Sequence, residues 1–168
     1  QKELLALLAS IRAGVPGAAL RTTVIVGFPG ESDADFNRLL GFVEAVEFDH
    51  LGVFTYSDAE DLPSHGLPDP VPPAVARRRR DRLMRRQREI SSRRLQAHLG
   101  RVRAVLIEEA CGEGGYIGRT VYQAPEVDGI TYVNAAGSLR IGQVVPVAIT
   151  DSLDYDLVGD AQCPTSSS

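Results

Sequence analysis

Arg21-Thr-Thr-Val-Ile-Val-Gly-Phe-Pro-Gly-Glu-Ser32 reads as a strand, a glycine-rich turn and a helix start, and it decides the fold class of the first half of the chain. Val24, Ile25 and Val26 are apolar without alternation, the pattern of a strand covered on both faces. Gly27, Pro29 and Gly30 end the strand. Ser32, with Asp35 three residues on, approximates a capping box and starts a helix. Folds built from such βα units bind ligands at the carboxyl ends of their strands.

Outward from this stretch, Leu4, Leu8 and Ile11, flanked by Leu5 and Leu7, predict a helix over 1–13. Phe36, Leu39, Leu40 and Val43 fall at i, i+3, i+4 and i+7 and predict a second helix over 33–47. Leu51-Gly-Val-Phe-Thr-Tyr56 is a second short strand, ending at Ser57. Residues 1–56 therefore read α-β-α-β, consecutive units of a parallel sheet or barrel. A complete barrel takes about 200–250 residues. Two strands are a small share of one, so the chain is expected to be the C-terminal part of something larger, with its true start upstream.

Prolines at 63, 68, 70, 72 and 73 mark a loop after Ser57. Pro72-Pro73 suits the entry to a helix, and residues 74–99 hold neither Gly nor Pro, predicting a rod of about 39 Å at about 1.5 Å per residue. Residues 73–100 carry ten arginines against Asp81 and Glu89, a surplus of eight positive charges. The apolar stripe is thin: Val75, Leu83, Met84, Ile90, Leu95 and Leu99. Two readings stand side by side, a solvated helix spanning two domains with arginine stems over apolar neighbours, and a helix facing RNA phosphates.

Gly100 ends the helix and the texture changes. Segments 102–109, 115–120, 129–133, 143–150 and 155–158 are short and β-branched or aromatic, separated by Gly112, Gly114-Gly115, Asp128-Gly129, Gly137 and Gly142. Five such segments predict a small closed antiparallel β-barrel over 101–160. Residues 161–168 read as a disordered tail. Four arginines against nine acids give 101–160 a net charge of −5, so a basic rod adjoins an acidic module.

The remaining composition narrows the class. At 168 residues, 43% hydrophobic and 24% charged, the chain suits a soluble globular protein of one domain or two small ones. No apolar run reaches the roughly 18 residues of a membrane span, and no signal peptide precedes the first helix, so no membrane partner and a cytoplasmic location are expected. Cys111 and Cys163 form no Cys-x-x-Cys pair and lack metal-ligand spacing to a histidine, which speaks against a disulfide framework. His50, His65 and His98 read as single strand-edge, loop and helix-end residues.

Three motifs in this order and spacing resemble the C-terminal half of a radical-SAM methylthiotransferase: Arg21-Thr-Thr-Val-Ile-Val-Gly-Phe-Pro-Gly-Glu31, Gly52-Val-Phe-Thr-Tyr-Ser57 and Arg80-Asp-Arg-Leu-Met-Arg-Arg-Gln87. The last module resembles a TRAM domain, a five-stranded, OB-like barrel that recognises the substrate. The resemblance covers nearly the whole chain apart from the tail. It implies the end of a TIM-like α/β barrel over 1–72, a linker helix over 73–100 and a TRAM barrel over 101–160. Two branches of the family differ in the TRAM module. One modifies an adenosine beside the tRNA anticodon (MiaB-like) and the other an aspartate of a small-subunit ribosomal protein (RimO-like). Here Tyr116-Ile-Gly-Arg-Thr120 leads into Gln123-Ala-Pro-Glu-Val-Asp-Gly129, and the Ala-Pro-Glu-x-Asp-Gly run looks like the RimO branch. A barrel of net charge −5 points the same way, repelling an RNA backbone and attracting a basic protein. A TRAM-type binding module without enzymatic function is the reading from a different class.

The resemblance implies insertion of a methylthio group at an unactivated carbon, with S-adenosylmethionine and two 4Fe-4S clusters as cofactors. A cluster needs several converging thiolates. Two distant cysteines hold neither, so the chain receives no catalytic residue and no metal ligand, and alone it is expected to be inactive. What the resemblance leaves here is part of the S-adenosylmethionine pocket: Val26, Gly27 and Phe28 on one strand, and Phe54, Thr55 and Tyr56 on the next. For Phe54 and Tyr56, core packing stands as an equal alternative. Glu31 departs from the superfamily's Gly-x-x-Glu, standing at Gly27-x-x-x-Glu31, and support of the helix N-terminus is its preferred role. Substrate contact is assigned to Tyr116, Arg119, Glu126 and Asp128, with turn-building before Gly129 as the alternative for the two acids. The implied partner is a basic small-subunit ribosomal protein or the ribosome; RNA contact through the arginine-rich helix stays the alternative to a solvated linker.

Overall fold

The computed structural model describes residues 2–162, which divide between Ile90 and Ser91 into two units. In the first unit, α1 (Lys2–Gly14) precedes β1 (Arg21–Val26), and α2 (Asp33–Val46) carries the chain back so that β2 (His50–Thr55) pairs with β1 in parallel, Val24 opposite Val53 and Val26 opposite Thr55. Ser32 and Asp35 complete the capping box in both directions, so α2 starts where the sequence places it. Helix α3 follows over Pro73–Gln96.

One face of the β1–β2 pair is covered. Val26, Leu51 and Val53 pack with Phe36 and Val43 of α2 and with Leu83 and Ile90 of α3. The opposite face is open: Ile25 is 57% exposed and Phe54 62%. The expectation of a strand covered on both faces is met here on one face only, because α2 and α3 both pack into the same core. Parallel sheets are ordinarily covered on both faces, and here the second apolar face is left open.

The arginine-rich helix is more than a connector. Ala76, Arg79, Leu83, Gln87 and Ile90 are buried at spacings of three and four residues, forming one stripe along α3. The Gln87 amide nitrogen donates to the Phe48 carbonyl at 2.8 Å, and Arg86 is ion-paired with Glu44 of α2 at 2.8 Å.

In the second unit β3 (Val102–Ala110), β4 (Gly115–Thr120), β5 (Thr131–Asn134), β6 (Val144–Ser152) and β7 (Leu157–Ala161) close into a barrel in the order β3-β4-β5-β7-β6. Its core is Val105, Ile107, Tyr116, Val133, Val145, Val147, Ile149 and Leu157. The barrel is mixed, which corrects the expectation of antiparallel pairing throughout: β5 and β7 run parallel. Five strands cannot alternate direction all the way round a closed ring, so one seam must be parallel. Ladder irregularities at Ile107/Glu109 and Ile149/Asp151 mark bulges, which add the local bend that closure needs.

Ala161 still belongs to β7, and the Gln162 N–H donates to the Pro146 carbonyl at 2.8 Å, so the first two residues of the expected tail are ordered. The rest of that expected tail, 163–168, lies outside the described residues. Among the described residues no helix is long and apolar enough to cross a membrane.

Truncating Leu83 to Ala should destabilise the first unit by about 2–5 kcal/mol, the range for a buried leucine. Urea midpoints measure the loss. Hydrogen exchange should locate it in residues 20–90 and leave the amides of the barrel's core strands at wild-type rates.

Candidate functional site

The turn after β1 is held by contacts from three directions. Gly27 has φ +80°, and a Cβ there would sit 2.5 Å from Ala76 Cβ, so only glycine fits beside the first turn of α3. The Glu31 carboxylate accepts from the Gly27 N–H. The Tyr56 N–H donates to the Val26 carbonyl at 2.8 Å, tying the ends of both strands together. Phe28 and Tyr56 then meet edge to face, with centroids 5.1 Å apart. The Tyr56 hydroxyl hydrogen-bonds Ser64 Oγ at 2.9 Å and Asp58 Oδ1 at 3.0 Å, folding the proline-rich loop over the strand ends. His65 Nδ1 lies 3.1 Å from Asp58 Oδ2 in the same loop.

Between this loop, the strand ends and the start of α3 lies a cavity of about 560 Å³, lined by Gly27, Thr55, Tyr56, Ser64, Ala76 and Arg77, among others. Three of the six expected cofactor residues, Gly27, Thr55 and Tyr56, thus share one wall. Phe28 stacks beside them, and Phe54 projects from the open face of the sheet. Val26 is different. Its side chain is fully buried in the core beneath α2 and α3, and its carbonyl is taken by Tyr56. The Val26 side chain thus faces the helices and is not part of the cavity wall.

Arg79 organises the turn. It is 6% exposed, donates to the Glu31 carbonyl at 3.0 Å and to Asp33 Oδ1 at 2.7 Å, and stands 5.6 Å from the Phe36 ring centroid. Its Nη1 lies 3.5 Å from the Glu31 carboxylate. Glu31 therefore acts by clamping Gly27 and pairing with Arg79, a more specific task than helix-dipole support. The Arg79 hydrogen bond, with its charge, holds the Asp33 carboxyl below its ordinary 3.8.

The barrel candidates separate in the same way. Tyr116 is in the barrel core, and its hydroxyl accepts from the Leu139 N–H at 3.0 Å, pinning the β5–β6 connection. Arg119 is ion-paired with Glu108 at 2.6 Å across β3 and β4. Asp128 accepts from the Ala124 N–H at 2.8 Å and closes the 124–128 loop, the turn-building role. Gly129 follows, where a Cβ would overlap the Tyr155 carbonyl at 1.9 Å. Glu126 sits exposed at φ +62°, with no side-chain partner among the described residues. Gln123 escapes a reading of the sequence: its buried carbonyl oxygen accepts from the Thr120 N–H at 2.9 Å and the Thr131 hydroxyl at 2.8 Å, anchoring the loop.

Cys111 is exposed and unpaired, and the described residues contain no group of three or more His, Cys, Asp or Glu able to hold a metal. Cys163 lies outside the described residues.

The small closed barrel defines a TRAM-domain protein, and the TRAM domain family matches residues 99–161. Relatives extend the likeness over both units. A ribosomal protein uS12 methylthiotransferase RimO from Desulfosudis oleivorans is 52% identical over 152 residues, 90% of this chain and 34% of the relative. Those of Syntrophotalea carbinolica and Clostridioides difficile are 48% and 47% identical, over 92% and 89% of this chain and 34% of each relative. The chain belongs to the RimO methylthiotransferase family as its C-terminal part, and it spans about a third of the length of the curated relatives it matches.

Because the folded-state pKa of Asp33 is the lower one, its pairing with Arg79 contributes stability above the unfolded value near 3.8 and loses it as pH falls through the folded value. The difference in urea midpoint between wild type and Asp33→Asn should be present at neutral pH and shrink towards zero below pH 3.8. An offset that stays constant across that window would show that the ion pair contributes nothing.

Proposed function

We propose that the protein to which this chain belongs is a radical-SAM enzyme that methylthiolates an aspartate of ribosomal protein uS12, and that this portion completes the barrel and reads the substrate. One observation carries the reading: about half of the residues are identical, over nine-tenths of the chain, to relatives named as uS12 methylthiotransferases. The likeness spans the βα unit as well as the barrel, which disfavours a free-standing binding module. A ribosomal substrate also supports a cytoplasmic location.

The residues present do not fit an iron–sulfur cluster, since one exposed cysteine among the described residues cannot supply the several thiolates required. The cluster ligands are therefore not supplied by this chain. The strand ends do suit S-adenosylmethionine, which when bound supplies the radical chemistry of the family. Phe28 and Tyr56 offer aromatic surface for an adenine, Gly27 and Thr55 form the cavity wall beside them, and Phe54 adds exposed aromatic surface on the open face of the sheet. The Glu31 and Arg79 clamp holds that wall in place.

On the barrel, Glu126 is the expected substrate residue left free to act. Tyr116 is internal, Arg119 is paired and Asp128 shapes the loop that presents Glu126. With a net charge of −5 over 101–160, the surface favours a basic protein over a nucleic-acid backbone.

Expression of the full-length protein in cells whose own uS12 modification has been deleted tests the reading. Mass spectrometry should find a methylthio group on an aspartate of uS12; a methylthio group on tRNA adenosine instead would transfer the protein to the MiaB-like branch. Reversing Glu126 to Lys should weaken uS12 binding by about tenfold or less, the range of about 1 kcal/mol or a little more for one exposed charge. The barrel's urea midpoint should stay unchanged, and unaltered affinity would remove Glu126 from the contact surface.

A further inference from the structure

The outward side of α3 carries a second interaction surface. Its packed side is neutralised within the first unit: Arg79 by Glu31 and Asp33, and Arg86 by Glu44. The two carboxylates on the outward side are also engaged, Asp81 with Arg80 at 3.0 Å and Glu89 with Arg86 at 2.5 Å. Arg77, Arg78 and Arg85 are exposed, with no hydrogen-bonded or ion-paired partner among the described residues, although Arg77 also edges the cavity at the strand ends and Arg78 feels the charge of Asp33. They lie within about 100° of one another around the helix and span about 12 Å of its length, at 3.6 residues per turn and about 1.5 Å per residue.

Their guanidinium groups, without hydrogen-bonded partners, are available to a polyanion. The chemistry of the face selects which one. Exposed outward positions 77, 78, 81, 82, 85, 88 and 89 are all charged, so the face offers no apolar anchor of the kind that protein partners use and no apolar residues to enter a bilayer surface. Guanidinium groups pair with phosphate oxygens through two parallel hydrogen bonds and need no apolar neighbour. We propose that Arg77, Arg78 and Arg85 form a track for the phosphate backbone of ribosomal RNA, holding the enzyme on the small subunit while the acidic barrel engages uS12. The track rests on uS12 being the substrate, as proposed for the whole protein. It places the RNA contact on the helix and the protein contact on the barrel.

The test is fluorescence anisotropy of the full-length protein with a small-subunit ribosomal RNA fragment that neighbours uS12, over a series of salt concentrations. The combined variant Arg77→Gln/Arg78→Gln/Arg85→Gln should bind about tenfold or more weakly at low salt, with the slope of log affinity against log salt shallower by about 2–3, close to one for each phosphate no longer neutralised. Arg80→Gln, already paired with Asp81, should move the slope by less than about one. An unchanged slope in the triple variant overturns the proposal. So does a change confined to self-association in sedimentation, or to binding of phosphatidylserine vesicles. Mass spectrometry of uS12 treated with the wild-type enzyme keeps the two readings apart. A modified uS12 with no slope change removes only the RNA track, and a slope change without uS12 modification removes only the substrate assignment.

Discussion

The geometry of the first unit depends on one buried cation. Arg79 reaches from α3 to the turn after β1 and bonds there to the carbonyl of Glu31 and the carboxylate of Asp33, while Glu31 holds the Gly27 N–H. Loss of Arg79 would leave the mostly buried Glu31 carboxylate without its cation, whereas Asp33 stays open to solvent. The interaction is therefore a constraint more than a source of net stability. With Arg79 in place, α3 cannot slide along α2 without breaking the two hydrogen bonds that Arg79 makes at this turn. The methyl group of Ala76, packed close against Gly27, fixes the same approach sterically.

In the barrel the governing constraint is topological. Closure with an odd number of strands forces a parallel seam, and β5 and β7 form it. The chain must then cross from β5 to β6, which is not its neighbour, and single side chains tie down the connections on either side of β5. Tyr116 holds the 135–143 connection from inside the core, and Gln123 holds the 121–130 loop. Two polar side chains beside the expected recognition run are thus internal fasteners.

Much of this is legible in the residues. Ser32 and Asp35 announce the helix start because capping is a local interaction, and all five barrel strands lie within a few residues of their predicted bounds, with glycines marking most of the turns between them. The parallel seam is legible in principle, since it follows from strand count alone. The fate of individual side chains is harder to see. Arg77 to Arg80 are four identical letters, yet Arg79 alone is buried. The signal that separates it is its place in the 76-79-83-87-90 series, which a search for apolar stripes passes over because positions 79 and 87 are polar. The inward direction of Val26 is hidden for the complementary reason. Alternation along β1 decides which residue faces the helices, and the apolar run Val24-Ile25-Val26 conceals that alternation.

Glu126 shows what the loop geometry means for recognition. A non-glycine residue at φ +62° is held in a sparsely populated conformation, and the Asp128 bond to Ala124 and the close fit of Gly129 under Tyr155 keep it there. The carboxylate is consequently presented on a backbone that has already given up its freedom during folding. A partner that meets it need not order the loop, so less affinity is spent on entropy. Preorganisation of this kind lets encounter be governed by long-range charge and release by short-range contacts.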